Sequence, residues 1–428
     1  MDKTTVLEKQ QQFLFPGTIN YYAEPLVLAS GDGLWLTDIE GERYLDFFGG
    51  ILTVSLGHCH PAVNEAVIEQ LGRLGHTSTL YPNEWLVTLA EKLAELTPGP
   101  LMQSFLSNSG TEADETAILL ARAHAGGGGD IIALRHCYSG RSQLAMNLCG
   151  HAKWRILDSN VAGIKHAHAP YCYRCALGLE YPSCGVRCAT DLEELIATET
   201  NGRIAAFIAE PILGVGGFIV PPKEYFEIAV EIVRRHGGIF ICDEVQTGWG
   251  RTGGTMNGIE HWGVEPEVMT FAKGMANGLP IGATITTEAV AKSLEGLTIS
   301  TFGGNPISMV AALATIRVLE EENVVERSRV LGDRLAAGLR ALAERYPAIG
   351  EVRGMGLMQA MEMVEDPLTR APSAGKANAL LEECRKEHML VGKGGLYGNV
   401  LRLTPPMLIK ETEIDDALDR LGRALARI

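Results

Sequence analysis

Four short apolar runs punctuate the middle of the chain: Ile131–Leu134, Ile204–Ala209, Ile239–Cys242 and Val268–Ala272. Each is apolar almost throughout rather than at alternate positions, and each is bounded by glycine or a charged residue. Runs of this length, rich in β-branched and aromatic residues, predict strands buried on both faces. Between the second and third, Tyr225, Ile228, Ala229 and Ile232 recur at helical spacing and predict an amphipathic crossover helix over 225–235. Strands joined by such helices predict an α/β fold with a mostly parallel central sheet. Gln103–Leu106 reads as a further strand, followed by Ser109 as an N-cap and a helix over 111–124. Nearer the N-terminus, residues 33–38 and 43–47 alternate like a small hairpin with Glu40-Gly41 at its turn. Residues 1–16 read as a polar arm or short helix. Helical patterning sets in after about Ala314, with an apolar stripe over 327–346. A last helix from Thr412 carries Ile414, Ala417, Leu418, Leu421, Ala424, Leu425 and Ile428 on one face.

The 428 residues suffice for two domains and a large core. A net charge of −15 with no basic stripe argues against nucleic acid or an anionic membrane as partner. No apolar run is long enough to span a bilayer, and Met1-Asp2-Lys3-Thr4-Thr5 lacks an apolar signal core. Nine cysteines in a chain this long do not make a secreted disulfide framework. The expectation is a cytoplasmic protein.

Chemistry concentrates at the ends of the apolar runs. Asp243 closes the third and Lys273 the fourth. In an open α/β sheet, ligands sit beyond the carboxyl ends of the strands, so one acid and one amine face a common crevice. A buried ion pair kept for packing has the same appearance. A lysine beside an aldehyde cofactor forms a Schiff base, and a carboxylate beside a pyridine nitrogen keeps that nitrogen protonated. The strand, glycine turn and helix around Ser109-Gly110-Thr111 direct free backbone amides at a phosphate, with the hydroxyls of Ser109 and Thr111 as further donors. The acidic side chains of Glu112, Asp114 and Glu115 then have to point away from it.

Asp243-Glu-Val-Gln-Thr-Gly-Trp-Gly-Arg251, followed by Phe271-Ala-Lys-Gly274, resembles the signature of the class III aminotransferases. Residues 49–61, 71–79 and 301–306 resemble the alanine:glyoxylate aminotransferase branch. The resemblance implies a fold type I transferase dependent on pyridoxal 5'-phosphate (PLP). Its large PLP-binding domain spans residues 62–314. A smaller α+β domain is built from residues 1–61 and 315–428, with strands at 352–358 and 400–406. It implies Lys273 and Asp243 as catalytic residues. It places Ser109, Gly110 and Thr111 at the cofactor phosphate, with Ser139 nearby. Tyr138 lies over the ring, Val245 under it and Gln246 at the ring oxygen. Arg402 binds the substrate carboxylate, Glu210 pairs reversibly with it, and Tyr22 lines the substrate pocket. Arg141 stands where some relatives hold a carboxylate, although this branch does not regularly carry arginine there. Thr301 reaches the phosphate of the neighbouring subunit, which implies a homodimer. The implied reaction moves an amino group from alanine or a β- or ω-amino compound to glyoxylate or pyruvate. A lyase that eliminates phosphate from a phosphorylated amino alcohol is the competing reading.

Two cysteine pairs remain, Cys172/Cys175 and Cys184/Cys188, eight residues apart with internal gaps of two and three. A structural zinc, two disulfides, or four ordinary thiols in an insertion all accommodate this spacing. His58-Cys59-His60 reads as the turn opening a helix at Pro61, because adjacent residues do not face one ion without a tight loop. The glycines at 126–129 lack a lysine and nucleotide-loop spacing, and read as a loose connection.

Overall fold

The structure, a computed structural model, describes residues 1–157 and 160–428. Three strands open the chain: Leu28–Asp32 (β1), Trp35–Asp38 (β2) and Arg43–Phe47 (β3). Seven follow: Leu101–Ser107 (β4), Asp130–Leu134 (β5), Ile164–Ala167 (β6), Ile204–Ala209 (β7), Ile239–Asp243 (β8), Val268–Phe271 (β9) and Gly282–Thr287 (β10). Ile349–Met355 (β11), Met358–Met363 (β12), Met389–Gly394 (β13) and Val400–Leu403 (β14) close it.

The middle seven form one sheet in the order β4-β10-β9-β8-β7-β5-β6. Its core from β9 to β6 is parallel, and β10 runs antiparallel between β9 and β4. The apolar runs are buried at every position of β7, β8 and β9. The helix Tyr225–Arg235 packs on β7 and β8, and the helix Gly110–His124 on β9 and β10. Phe207 stacks on Phe240 at 5.7 Å, with Phe226 the same distance from Phe240 on the other side. Each such ring or branched side chain taken out of water stabilises the fold by about 1.5–3 kcal/mol.

The remaining strands form a second sheet, β1-β2-β3-β13-β14-β12-β11, so the two chain ends meet across the parallel β3–β13 pair. The hairpin expected over 33–47 is β2 and β3. Pro61 stands at the first turn of the helix Pro61–Leu71, as the His58-Cys59-His60 turn requires, and His58 Nε2 lies 2.8 Å from Asp46 Oδ2.

Three expectations change. Residues 352–358 are not one strand but parts of the β11–β12 hairpin. Its turn holds Gly356 at φ 52°, where a Cβ would come within 2.4 Å of the Thr252 carbonyl carbon. β14 stops at Leu403, ahead of Pro405-Pro406, since proline has no N–H for the ladder. The chain turns helical at Pro306, not Ala314: the helix Pro306–Glu321 has proline in its first turn and Asn305 Oδ1 accepting from Ile307 N–H at 2.9 Å. We keep the division into 62–314 and the two chain ends as a proposal. The separation of the strands into two sheets supports it, while the break at 314 falls inside that helix.

Candidate active site

A cavity of about 460 Å³ opens beyond the carboxyl ends of β8 and β9. Asp243 ends β8, and its Oδ1 accepts from Val245 N–H at 2.9 Å. Lys273 follows β9 with φ +43°, a left-handed conformation that a non-glycine residue adopts at a cost of about 1–3 kcal/mol. Both line the cavity. Burial pushes the Lys273 amine below the ordinary lysine range, opposed by the negative charges of Asp243 and Glu210. Burial pushes Asp243 the other way, up to about 6, against the Val245 hydrogen bond and Lys273.

Ser109, Gly110 and Thr111 form one end of the cavity, at the start of the helix Gly110–His124. Ser109 Oγ caps it by accepting from Glu112 N–H at 3.2 Å, which leaves the first-turn amides of Gly110 and Thr111 without intrahelical acceptors. The cradle is tight. Gly140 (φ +133°) approaches so closely that a Cβ would lie 2.0 Å from Thr111 Oγ1, and a Cβ on Gly110 would press Val245 at 3.2 Å. Tyr138, Ser139, Val245 and Gln246 line the walls.

Arg402, on β14, enters the same cavity and is buried. Phe48 and Phe218 lie beneath its guanidinium at 5.2 and 5.6 Å, and Nη2 donates to the Lys393 carbonyl at 3.1 Å. Its Nε and the Oε1 of Gln246 are buried without a hydrogen-bond partner. Two orphaned polar groups in one cavity with an amine, an acid and a helix N-terminus fit an anionic, ring-bearing cofactor and an anionic substrate.

Three residues expected at this cavity lie outside it, and Thr301, expected at a neighbouring subunit's site, lies on the surface. Glu210 sits behind the cavity wall. Its oxygens accept from Tyr138 N–H at 3.1 Å and Gly214 N–H at 2.8 Å, and among the described residues it forms no ion pair with Arg402. Burial, then the charge of Asp243, push its carboxyl up to about 8. Tyr22 is not a cavity residue. Its neighbour Tyr21 is the aromatic that stacks on Phe48, at 5.7 Å, beside Arg402. Arg141 is exposed to solvent. Thr301 is exposed, on the turn that carries exposed Phe302.

Other residues line the cavity without a motif to announce them. Asp114, expected to point away from the phosphate, is one of them, and its Oδ1 accepts from Thr270 Oγ1 at 2.8 Å. Burial and the charge of Asp243 push this carboxyl well up. Helical spacing was the available signal, since positions 110, 111 and 114 share one face. Trp154 meets Tyr138 edge-on at 5.3 Å. Gly50, Ile51 and Thr53 form another wall, after left-handed backbone at Gly49, Gly50, Ile51 and Leu52. Each non-glycine residue there costs about 1–2 kcal/mol, strain that is concentrated at the cavity.

The family model for class III aminotransferases matches residues 19–425. An alanine–glyoxylate aminotransferase 2 homologue of Arabidopsis thaliana, a mitochondrial protein, is 38% identical over 99% of this chain and 87% of its own. An acetylornithine aminotransferase of Mycobacterium leprae is also 38% identical, over 98% of this chain and 95% of its own. Among solved structures, a Bacillus anthracis aminotransferase superposes with a TM-score of 0.93 at 31% identity, each chain covered completely. An amine transaminase from an uncultivated Pseudomonas species, in its PLP-bound form, does so with a TM-score of 0.90 at 33% identity over 97% of this chain and 98% of the other. With a family model that spans residues 19–425 and a relative 38% identical over 99% of it, this chain belongs to the PLP-dependent class III aminotransferases.

Proposed function

We propose that this aminotransferase takes its amino group from alanine, or from a β- or ω-amino compound, and delivers it to glyoxylate or pyruvate. The observation that carries the reading is Arg402: a buried guanidinium with an unpartnered Nε, in the same cavity as Lys273. A planar cation so placed matches a substrate carboxylate in two-pronged geometry. Similarity to alanine–glyoxylate aminotransferases supports the choice of partners.

PLP, when bound, supplies an aldehyde that takes the amino group and a pyridine ring that accepts electrons. The amides of Gly110 and Thr111 and the hydroxyls of Ser109, Thr111 and Ser139 would hold its phosphate. Val245 and Tyr138 would confine the ring, Gln246 would meet its oxygen, and Asp243 would keep its nitrogen protonated. Lys273 would hold the aldehyde end, and its neutral amine would take the proton from the substrate carbon bearing nitrogen and later return one. A lysine at its ordinary pKa would hold that proton too tightly, so the burial that lowers it serves the chemistry. Glu210 is proposed as a reversible partner of Arg402, a role that would require its carboxylate to leave the amides of Gly214 and Tyr138 that hold it in this structure.

The active unit is a homodimer in which Thr301 completes the neighbouring phosphate cradle. Leu80, Tyr81, Leu297, Ile299 and Phe302 support this. They are large apolar side chains left exposed on two segments that Thr79 and Ser300 tie together by hydrogen bonds.

A panel of amino donors against glyoxylate and pyruvate, followed through the visible absorbance of bound PLP and by product analysis, tests the proposal. Formation of glycine from glyoxylate or alanine from pyruvate is expected. Release of free phosphate from a phosphorylated amino alcohol, without amino transfer, would instead select the lyase reading.

A further inference from the structure

Cys172, Cys175, Cys184 and Cys188 all line one small cavity, separate from the one that Lys273 lines. The cavity is about 20 Å³, room for a single atom-sized guest and no more. The four thiols come from two short turns. Cys172 lies in the turn Cys172–Arg174, with Cys175 at its end. Between Cys184 and Cys188 the chain passes through Gly185 (φ 55°) and Val186 (φ 53°), both left-handed. For a β-branched residue that conformation is an outlier, and it bends the chain so that both flanking cysteines reach the same cavity. No disulfide joins any of the four. Leu177, Leu179 and Val186 complete a largely apolar wall.

We infer that Cys172, Cys175, Cys184 and Cys188 bind one structural Zn²⁺. Four cysteines lining one cavity of single-atom size match a soft, tetrahedral cation and not the hard, oxygen-seeking Mg²⁺ or Ca²⁺. Among the described residues no three His, Cys, Asp or Glu side chains are grouped closely enough to hold an ion as they stand, so binding turns the four Sγ atoms inward about their Cα–Cβ bonds. The thiols bind as thiolates, and the four protons pass to solvent.

The ion then fixes a segment that bridges the two sheets. Tyr171 and Arg174, on either side of Cys172, both bind the buried carboxylate of Glu362 on β12. The Arg353 guanidinium of β11 stacks over Tyr171 at 4.9 Å, and His136, two residues before Tyr138, meets the other side of that ring at 5.7 Å. No cysteine of the set touches the PLP cavity, so the metal positions and does not react.

Elemental analysis of PLP-loaded protein, purified without chelator or added metal, tests this. The expected result is about one zinc per chain, released when a mercurial titrates the thiols. Cys184→Ser/Cys188→Ser should retain at least about tenfold less. Should that variant not fold, wild-type protein grown with Co²⁺ in place of zinc supplies an independent reading through the visible bands of a tetrahedral cobalt thiolate. Zinc retained by the double variant, metal below about a tenth per chain in the wild type, a disulfide among these cysteines by mass spectrometry, or iron with inorganic sulfide would each overturn the assignment.

Discussion

In the proposed reaction Arg402 is what the cavity offers a carboxylate, and its environment makes the consequence of losing it specific. The guanidinium lies near two phenyl rings and donates to the carbonyls of Gly214 and Lys393, with Nε free. Arg402→Ala is expected to reduce kcat/KM for a carboxylate-bearing donor by about 2–5 kcal/mol, the cost of leaving a buried charge unpaired. A simple amine without a carboxylate should lose far less. Equal losses for both, measured in steady-state assays, would show that the residue is structural. Asp243 and Asp114 face the same cavity in different states. Asp243→Asn, which removes the counter-charge from the ring, should lower kcat by about 10²–10³-fold. Asp114→Asn should stay within about tenfold of wild type, because burial already favours the neutral form of that carboxyl and Thr270 can still donate to it. Gly140→Ala should weaken PLP retention and destabilise the fold, since the new Cβ meets Thr111 Oγ1 at 2.0 Å in a backbone region alanine avoids. At this scale the sequence spoke clearly where a residue ends a buried strand, as Asp243 and Lys273 do. It did not place Tyr21 or Trp154, because which aromatic of a loop turns inward depends on packing between segments far apart in the chain.

At the scale of elements, the parallel strands were legible because both of their faces are buried, which removes the alternation an exposed face imposes. The same density makes them unforgiving. Phe240→Ala, between Phe207 and Phe226, should cost about 3–5 kcal/mol in chemical denaturation. A loss below 1 kcal/mol, well under ~3 kcal/mol, would mean that the sheet relaxes around the gap. The β11–β12 hairpin was read as one strand because Gly354-Met-Gly356 carries no polar turn signal. Its turn is selected by close approach of the Thr252 backbone, a contact no local pattern records. The helix from Pro306 is hidden for a related reason: the proline that looks like a breaker instead opens it. Asp114 belongs here too: a carboxylate near a phosphate cradle suggests a side chain turned away, whereas the helical period puts it beside Gly110 and Thr111.

For the whole molecule, buried acids set the pH dependence. Burial raises Glu210 from an ordinary 4.5 to about 8 and Glu244 to about 7. The folded chain therefore holds these protons more tightly than the unfolded one, and their contribution is complete at low pH and lost as pH rises through the folded values. Buried histidines act in the opposite sense, His136 being pushed down from 6.5 to about 4, and their contribution levels off once the pH is well above 6.5. From pH 6.5 to 8 the Tm of PLP-stripped protein should fall with a component that Glu210→Gln removes. Lys273, whose lowered pKa works the other way, is present in both proteins. Identical slopes would contradict the assignment. Assembly is the other property at this scale. Phe302→Glu should convert a dimer in light scattering to a monomer with weakened PLP binding, and an unchanged dimer would place the interface elsewhere.

The amine of residue 273 is proposed both to anchor the cofactor and to carry the proton. PLP-loaded wild type and Lys273→Ala are each mixed with alanine and glyoxylate, and pyruvate and glycine are followed in a single turnover. Wild type should give equal amounts of the two products, and the variant a rate at least about 10²-fold lower. Transfer at comparable rates in both proteins would rule out both roles.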